Sequence, residues 1–164
     1  MLSPSKKTLF AIEAVLDIAY NAGGEPVQSS EITARQGIPR RYLEQTLQAL
    51  VRANILIGVR GPKGGYRLAR ERRRISVGDI VRVVQAAEGP PPEENLPQSD
   101  IGVRVIQPMW EDLQGALMAE LDALSIDTLC QRASETGVPC QARDRLSYDR
   151  SEEHTSELQS HLNL

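Results

Sequence analysis

Between Ser5 and Tyr20 the apolar residues Leu9, Ile12, Val15, Leu16 and Ile18, with alanines at 11, 14 and 19, recur at helical spacing. The pattern predicts a first helix with one buried face, ended by the glycines of "NAGGEPV". "SSEITARQG" then predicts a two-turn helix capped by Ser29 or Ser30 and stopped at Gly37. "IPRRYLEQTLQALVRANIL" starts again at once, with Pro39 suited to a first helical turn and the stripe Leu43, Leu47, Leu50 and Val51 along one side. A short helix, a tight turn containing glycine and a longer helix form the helix-turn-helix pattern.

Beyond it the period changes from helical to extended. "ILIGV" is apolar and β-branched and predicts a strand, "GPKGG" a turn, and "YRLAR" the returning strand. "SVGDIVRVVQAAEG" predicts another helix, Ser76 and Asp79 having the spacing of a capping box ahead of Ile80, Val83 and Val84. A helix-turn-helix followed by a two-stranded hairpin is a winged helix. "EGPPPEENLPQSD" carries no apolar stripe and reads as a Pro- and acid-rich linker.

From Ile101 to Leu124 a long helix is predicted, with Ile106, Trp110, Leu113, Leu117, Leu121 and Leu124 spaced by threes and fours. A lone helix with such a stripe must cover it, either on its own domain or on a second copy. Ser125 caps a last helix, "IDTLCQRA", and "SETGVPCQARDRLSYD" has no stripe and reads as a mobile tail. The expected architecture is therefore mainly α. Residues 1–87 form a winged helix-turn-helix domain with a two-stranded β wing, 88–100 a linker, 101–133 the long C-terminal helix region, and 134–149 the tail.

The N-terminus "MLSPSKKTLFAIEAVLDIAY" is interrupted by Glu13 and Asp17, so it reads as an amphipathic helix and not a signal peptide. No apolar run approaches the roughly 20 residues that span a bilayer. Two cysteines, Cys130 and Cys140, make no disulfide framework, and a reducing cytoplasm is expected. The net charge of −3 conceals a division. Residues 1–87 hold 14 Lys+Arg against 7 Asp+Glu, and residues 88–164 hold 5 against 15. A basic first half and an acidic second half suggest that only the first meets a polyanion.

"EITARQGIPRRYLEQTLQALVRANILIGVRGPKGGYRLAR" resembles the DNA-binding core of the IscR/NsrR/CymR family of bacterial transcription regulators (the Rrf-two family), its cluster-free branch in particular. "KKTLFAIEAVLDIA", "ISVGDIVRVVQ" and "MWEDLQGALMAELDALSIDTL" follow the same plan, and the resemblance covers roughly residues 2–133. It implies a DNA-binding regulator, a repressor, whose homodimer forms through crossing long helices and contacts a palindromic operator. Ile106, Trp110, Leu113, Leu117, Leu121 and Leu124 would then line the dimer interface. Many members hold an iron–sulfur cluster through three cysteines before the long helix. Residues 88–110 contain no cysteine, and a cluster needs thiolate ligands, so no cofactor is expected.

Arg40, Arg41, Tyr42, Glu44 and Gln45 open the expected recognition helix, where side chains meet base edges in the major groove. Arginine presents a fork to guanine and glutamine to adenine, which selects Arg41 and Gln45 as base readers. Tyr42 touches phosphate or packs beneath the helix; Glu44 accepts from a cytosine amine or makes an ion pair within the helix. In the wing, Arg60, Lys63 and Arg67 are expected DNA contacts, while Gly61, Gly64 and Gly65 shape the turn and let the main chain come close to a groove. Lys6 and Lys7, with Ser5, resemble the family's phosphate-contacting start. Arg70, Arg72, Arg73 and Arg74 read as a solvated charge run, adding at most general attraction to the backbone.

Two other readings compete: a redox or iron–sulfur sensor using ligands outside the family pattern, such as Cys130 and Cys140, and a protein-interaction module using the acidic half. An unidentified effector or protein partner is compatible with each. An enzyme is not expected, because no nucleophile–base spacing is present. Both histidines, His154 and His161, lie in "RSEEHTSELQSH", which resembles the translation of a sequencing-adapter oligonucleotide. Residues 150–164 are expected to be an assembly artefact.

Overall fold

The computed structural model describes residues 4–90 and 97–141. The expected artefact at 150–164, the second half of the tail and the middle of the linker lie outside them. The chain is mainly helical. Helix α1 spans Lys6–Asn21, α2 Ser29–Gln36, and α3 Arg40–Arg52. Strands β1, Leu56–Val59, and β2, Gly65–Leu68, pair antiparallel, Leu56 opposite Leu68 and Val59 opposite Gly65. A short 3₁₀ turn at Arg72–Arg74 leads into α4, Val77–Glu88. A π-helical stretch, Gly102–Ile106, runs into α5, Gln107–Ala123, and α6 follows at Ile126–Glu135. Among the described residues no helix is long and apolar enough to cross a membrane.

The helix starts follow local chemistry. Ser5 Oγ accepts from the Thr8 amide at 3.2 Å, Ser125 Oγ from the Thr128 amide at 3.1 Å, and Ser76 and Asp79 exchange two bonds of 3.0 Å as a capping box. For α2 the expectation needs correcting by one residue: the cap is Gln28, whose amide donates to Glu31 at 2.8 Å, and Ser29 is already helical. Pro39 likewise stands just before α3 and not inside it. Gly37 ends α2 at φ 65°, where its amide reaches the Thr33 carbonyl at 2.9 Å. That left-handed residue turns the chain within three residues into α3.

The core lies where α1, α3, α4 and the base of the wing meet. Ile18, Leu43, Leu47, Leu50, Ile55, Leu56, Ile75 and Ile80 are fully buried there. Burying each such side chain contributes about 1.5–3 kcal/mol, so this stripe-on-stripe packing holds the domain together. One polar node crosses it. Asp17, with a side chain 0% exposed, accepts from Arg35 Nε at 2.9 Å and Nη2 at 2.7 Å and from Gln36 Nε2 at 2.8 Å. The bond to Asp17 holds the Arg35 guanidinium even more firmly protonated than usual. The node ties the end of α2 to α1 and so sets the angle of the helix-turn-helix.

Arg72, Arg73 and Arg74 are exposed, as a solvated run would be, yet the run is also partly paired. Arg72 Nε lies 2.6 Å and Arg73 Nε 3.5 Å from the carboxylate of the buried Asp127 on α6, and Arg70 stands 3.7 Å from Asp79 on α4. Arg72 and Arg73 therefore join the end of the wing to the last helix, and Arg70 joins it to α4. Residues 138–141, read as the start of a mobile tail, are docked as well. Tyr20 Oη donates to the Val138 carbonyl at 2.9 Å, the Gln141 amide to Asn21 Oδ1 at 3.1 Å, and Arg35 Nη1 to Gln141 Oε1 at 2.8 Å. Cys140 is half-buried, its thiol 3.0 Å from the Tyr20 carbonyl, and Cys130 is buried, which pushes its thiol pKa up.

Helix α5 stands apart from this packing. None of its 17 residues is buried. Ile106, Trp110, Leu113 and Leu117 are 44%, 41%, 54% and 54% exposed, whereas Leu121 and Leu124, near the joint with α4, are half-buried.

Candidate nucleic-acid interface

The recognition helix presents two faces with a clear division of labour. Leu43, Leu47 and Leu50 point into the core, which fixes its rotation. Arg40, Arg41, Tyr42, Glu44 and Gln45 are all left exposed at its start. Glu44 is resolved as an ion pair within the helix: Arg40 Nε donates to its Oε1 at 2.8 Å, four residues apart. The pair leaves Arg41 as the unneutralised cation of the first turn and removes part of the charge expected of Arg40.

The wing has its geometry from backbone closeness. Gly61 adopts φ 115°, and the Gly64 amide closes the turn onto the Gly61 carbonyl at 2.9 Å. Behind the turn, Tyr66 and Val27 exchange two backbone bonds of 2.8 Å, bridging the hairpin to the loop before α2. A side chain on Gly65 has no room here, since a Cβ would lie 2.4 Å from the Val27 carbonyl oxygen. Gly65→Ala is therefore expected to cost about 1–3 kcal/mol by overpacking against main chain and to detach the wing from α2. Urea unfolding measures the first effect and DNA affinity the second. Arg60, Lys63 and Arg67 are exposed along this hairpin.

Between wing and helix-turn-helix runs an open cleft of about 930 Å³, lined by Gln28, Ser29, Ser30, Thr33, Arg40, Arg60 and the wing glycines. Ser29, Ser30 and Thr33 were not picked out from sequence as site residues, yet they line the cleft at the start of α2. Hydroxyls at a helix start suit a phosphate. The signal was available in "SSEIT", read there only as a cap. On the other side of α3, Lys7, Tyr42 and Gln45 come together around a cavity of about 140 Å³ with Val83, Val84 and Glu88. This places the start of α1 beside the recognition helix, and Lys7 with it. Lys6 is exposed on the same first turn.

Many members of the family this chain resembles hold an iron–sulfur cluster, which requires thiolate ligands. The segment 88–110 contains no cysteine, and the chain's two cysteines sit in α6 and in the docked segment after it. Among the described residues, no three histidine, cysteine, aspartate or glutamate side chains cluster as a metal site. The donor set does not fit a thiolate-held cluster.

A family model described as "Rrf2: Iron-dependent Transcriptional regulator" matches residues 4–132. Among curated proteins, the HTH-type transcriptional regulator IscR of Aliivibrio salmonicida is 33% identical over 126 residues, 76% of this chain and 75% of that one. The IscR of Vibrio cholerae is 31% identical over the same share of this chain and 73% of its own. Among solved structures, T. potens IscR superposes with a TM-score of 0.68 at 32% identity, covering 84% of this chain and 93% of that one. CymR, the global cysteine regulator of B. subtilis, superposes at 0.64 with 29% identity, covering 80% and 98%.

Proposed function

The chain belongs to the Rrf2 family of transcriptional regulators, and from that premise we propose that it is a cytoplasmic repressor that binds a palindromic operator as a homodimer. As such a regulator it is a DNA-binding protein and not an enzyme. The observation that carries the proposal is the exposed, cationic start of α3 beside the wing. Arg41 and Gln45 stand exposed on a helix whose other side is locked in the core, Arg40 and Arg60 line the cleft between that helix and the hairpin, and Lys63 is exposed on the hairpin itself. Helix α3 enters the major groove. Arg41 and Gln45 meet base edges, while Lys63, Arg60, Arg67 and Lys7 meet the backbone or an adjacent narrow groove. Dimerisation proceeds through Ile106, Trp110, Leu113 and Leu117, which α5 leaves uncovered, with Leu121 and Leu124 at the edge.

The division between reading and positioning is testable by two substitutions. Lys63→Ala is expected to weaken binding to every sequence alike and to reduce the dependence of log affinity on log salt by about one unit per subunit, so about two for the dimer. Arg41→Ala is expected to lose about 1–3 kcal/mol on the operator and to flatten preference at one base pair. Binding measured on specific and random duplexes at several salt concentrations separates the two. Equal losses for both variants on both duplexes refute the assignment.

A further inference from the structure

The end of α5 is fastened to the winged domain by a joint that uses three elements. The Val77 amide donates to the Leu124 carbonyl and the Ile126 amide to the Ile75 carbonyl, both at 2.8 Å, so a two-bond backbone bridge ties the α5–α6 corner to the start of α4. One turn along, Arg82 Nη1 and Nη2 donate to the two Asp122 oxygens at 2.7 and 2.5 Å, and Arg82 also stands 3.9 Å from Asp79. Beneath that pair lies the buried Gly78: a Cβ on it would lie 2.0 Å from Asp122 Oδ1, 2.9 Å from its Cγ and 3.1 Å from its amide nitrogen. The helices therefore touch at the backbone of α4, and a forked ion pair resists rotation about that point.

We propose that Gly78, Arg82 and Asp122 are positioning residues that set which spacing between operator half-sites the protein accepts. The inference rests on the dimeric reading above, in which α5 is the fixed axis and each winged domain hangs from it. Under that reading the angle at the joint becomes the distance between recognition helices. A domain about 30 Å across moves its far side by roughly 3.4 Å, one base-pair step, when tilted by only about 7°. The same step turns the half-site by about 34° around the DNA axis, so a change of preferred spacing needs rotation as well as tilt at the joint. A Cβ on Gly78 would displace the Asp122 carboxylate from its place over α4 and press within 3.1 Å of the Asp122 amide nitrogen, so glycine there lets the charged pair sit where it holds the joint.

The test uses the full chain and a set of duplexes that carry one inverted repeat with the half-sites separated by successive single base pairs. Wild-type protein is expected to prefer one spacing. Asp122→Asn and Arg82→Gln, substitutions on exposed side chains, are expected to reduce the ratio of best to next-best spacing by about threefold or more, with affinity for a single half-site unchanged. Arg82→Lys, which keeps the charge, retains more of that ratio. Gly78→Ala is expected to move the optimum by one base pair, and circular dichroism checks that it folds. Variants that keep the wild-type spacing profile overturn the joint alone. A wild-type protein indifferent to spacing removes the dimeric reading, and the joint with it.

Discussion

Asp17→Ala is expected to destabilise the protein by about 3 kcal/mol, since it removes the fully buried acceptor of a largely covered cation. Arg35 is 18% exposed at its side chain and makes two bonds to Asp17; Gln36 makes another. Removing the carboxylate leaves these part-buried donors without that acceptor, although Arg35 keeps Gln141, whereas an exposed pair such as Arg40–Glu44 contributes well under about 1 kcal/mol. The midpoint of urea unfolding is expected to fall with its slope unchanged. A double variant, Asp17→Leu with Arg35→Met, is expected to recover much of the loss, because two apolar groups leave nothing unpaired. Function follows stability here: Arg35 and Gln36 are the last turn of α2, so operator binding is expected to weaken even where the protein remains folded. A loss below about 1 kcal/mol contradicts the node as the anchor of α2.

On the proposed dimeric reading, Trp110→Glu is expected to convert dimer to monomer and to reduce operator affinity by about a hundredfold or more. In a two-fold interface one substitution acts twice. A central aromatic carries roughly 2 kcal/mol or more in such a contact, so the pair weakens dimerisation by about a thousandfold. The operator effect arises because a dimer binds its second half-site at high effective concentration, an advantage of about 10²–10⁴ that a monomer lacks. Trp110 is 41% exposed and none of α5 is buried, so the fold of the winged domain does not depend on it. Sedimentation reads the first effect and titration of whole and half operators the second. Unchanged dimerisation contradicts the assignment of the α5 stripe.

The elements whose residues repeat over several turns were legible in the sequence. Helices α1, α3 and α4, the hairpin and the Ser76 and Ser125 caps all follow from local spacing and short-range bonds, whereas the Ser5 cap was not picked out. What was not legible joins distant parts of the chain. Arg72 and Arg73 look like a solvated run until Asp127, more than 50 residues later, is placed beside them. Residues 138–141 carry no apolar stripe, yet Tyr20, Asn21 and Arg35 hold them by polar bonds that leave no periodicity. Asp17 gave a usable signal, a carboxylate interrupting an apolar face, although its partner was not deducible from spacing. Glu44 had two readings from sequence, and the structure shows the four-residue step to Arg40 made as an exposed ion pair. The candidate residues of α3 and the wing were picked out by residue type and order, while Ser29, Ser30 and Thr33, which "SSEIT" offered only as a helix start, line the cleft.

Selection of genomic DNA fragments by the purified protein, eluted with rising salt and sequenced, tests the central claim most directly. Fragments surviving the highest salt are predicted to share one inverted repeat, because specific base contacts on two half-sites outlast the counterion-driven attraction common to all DNA. Retention of random sequence only, released at modest salt, would contradict an operator-binding dimer.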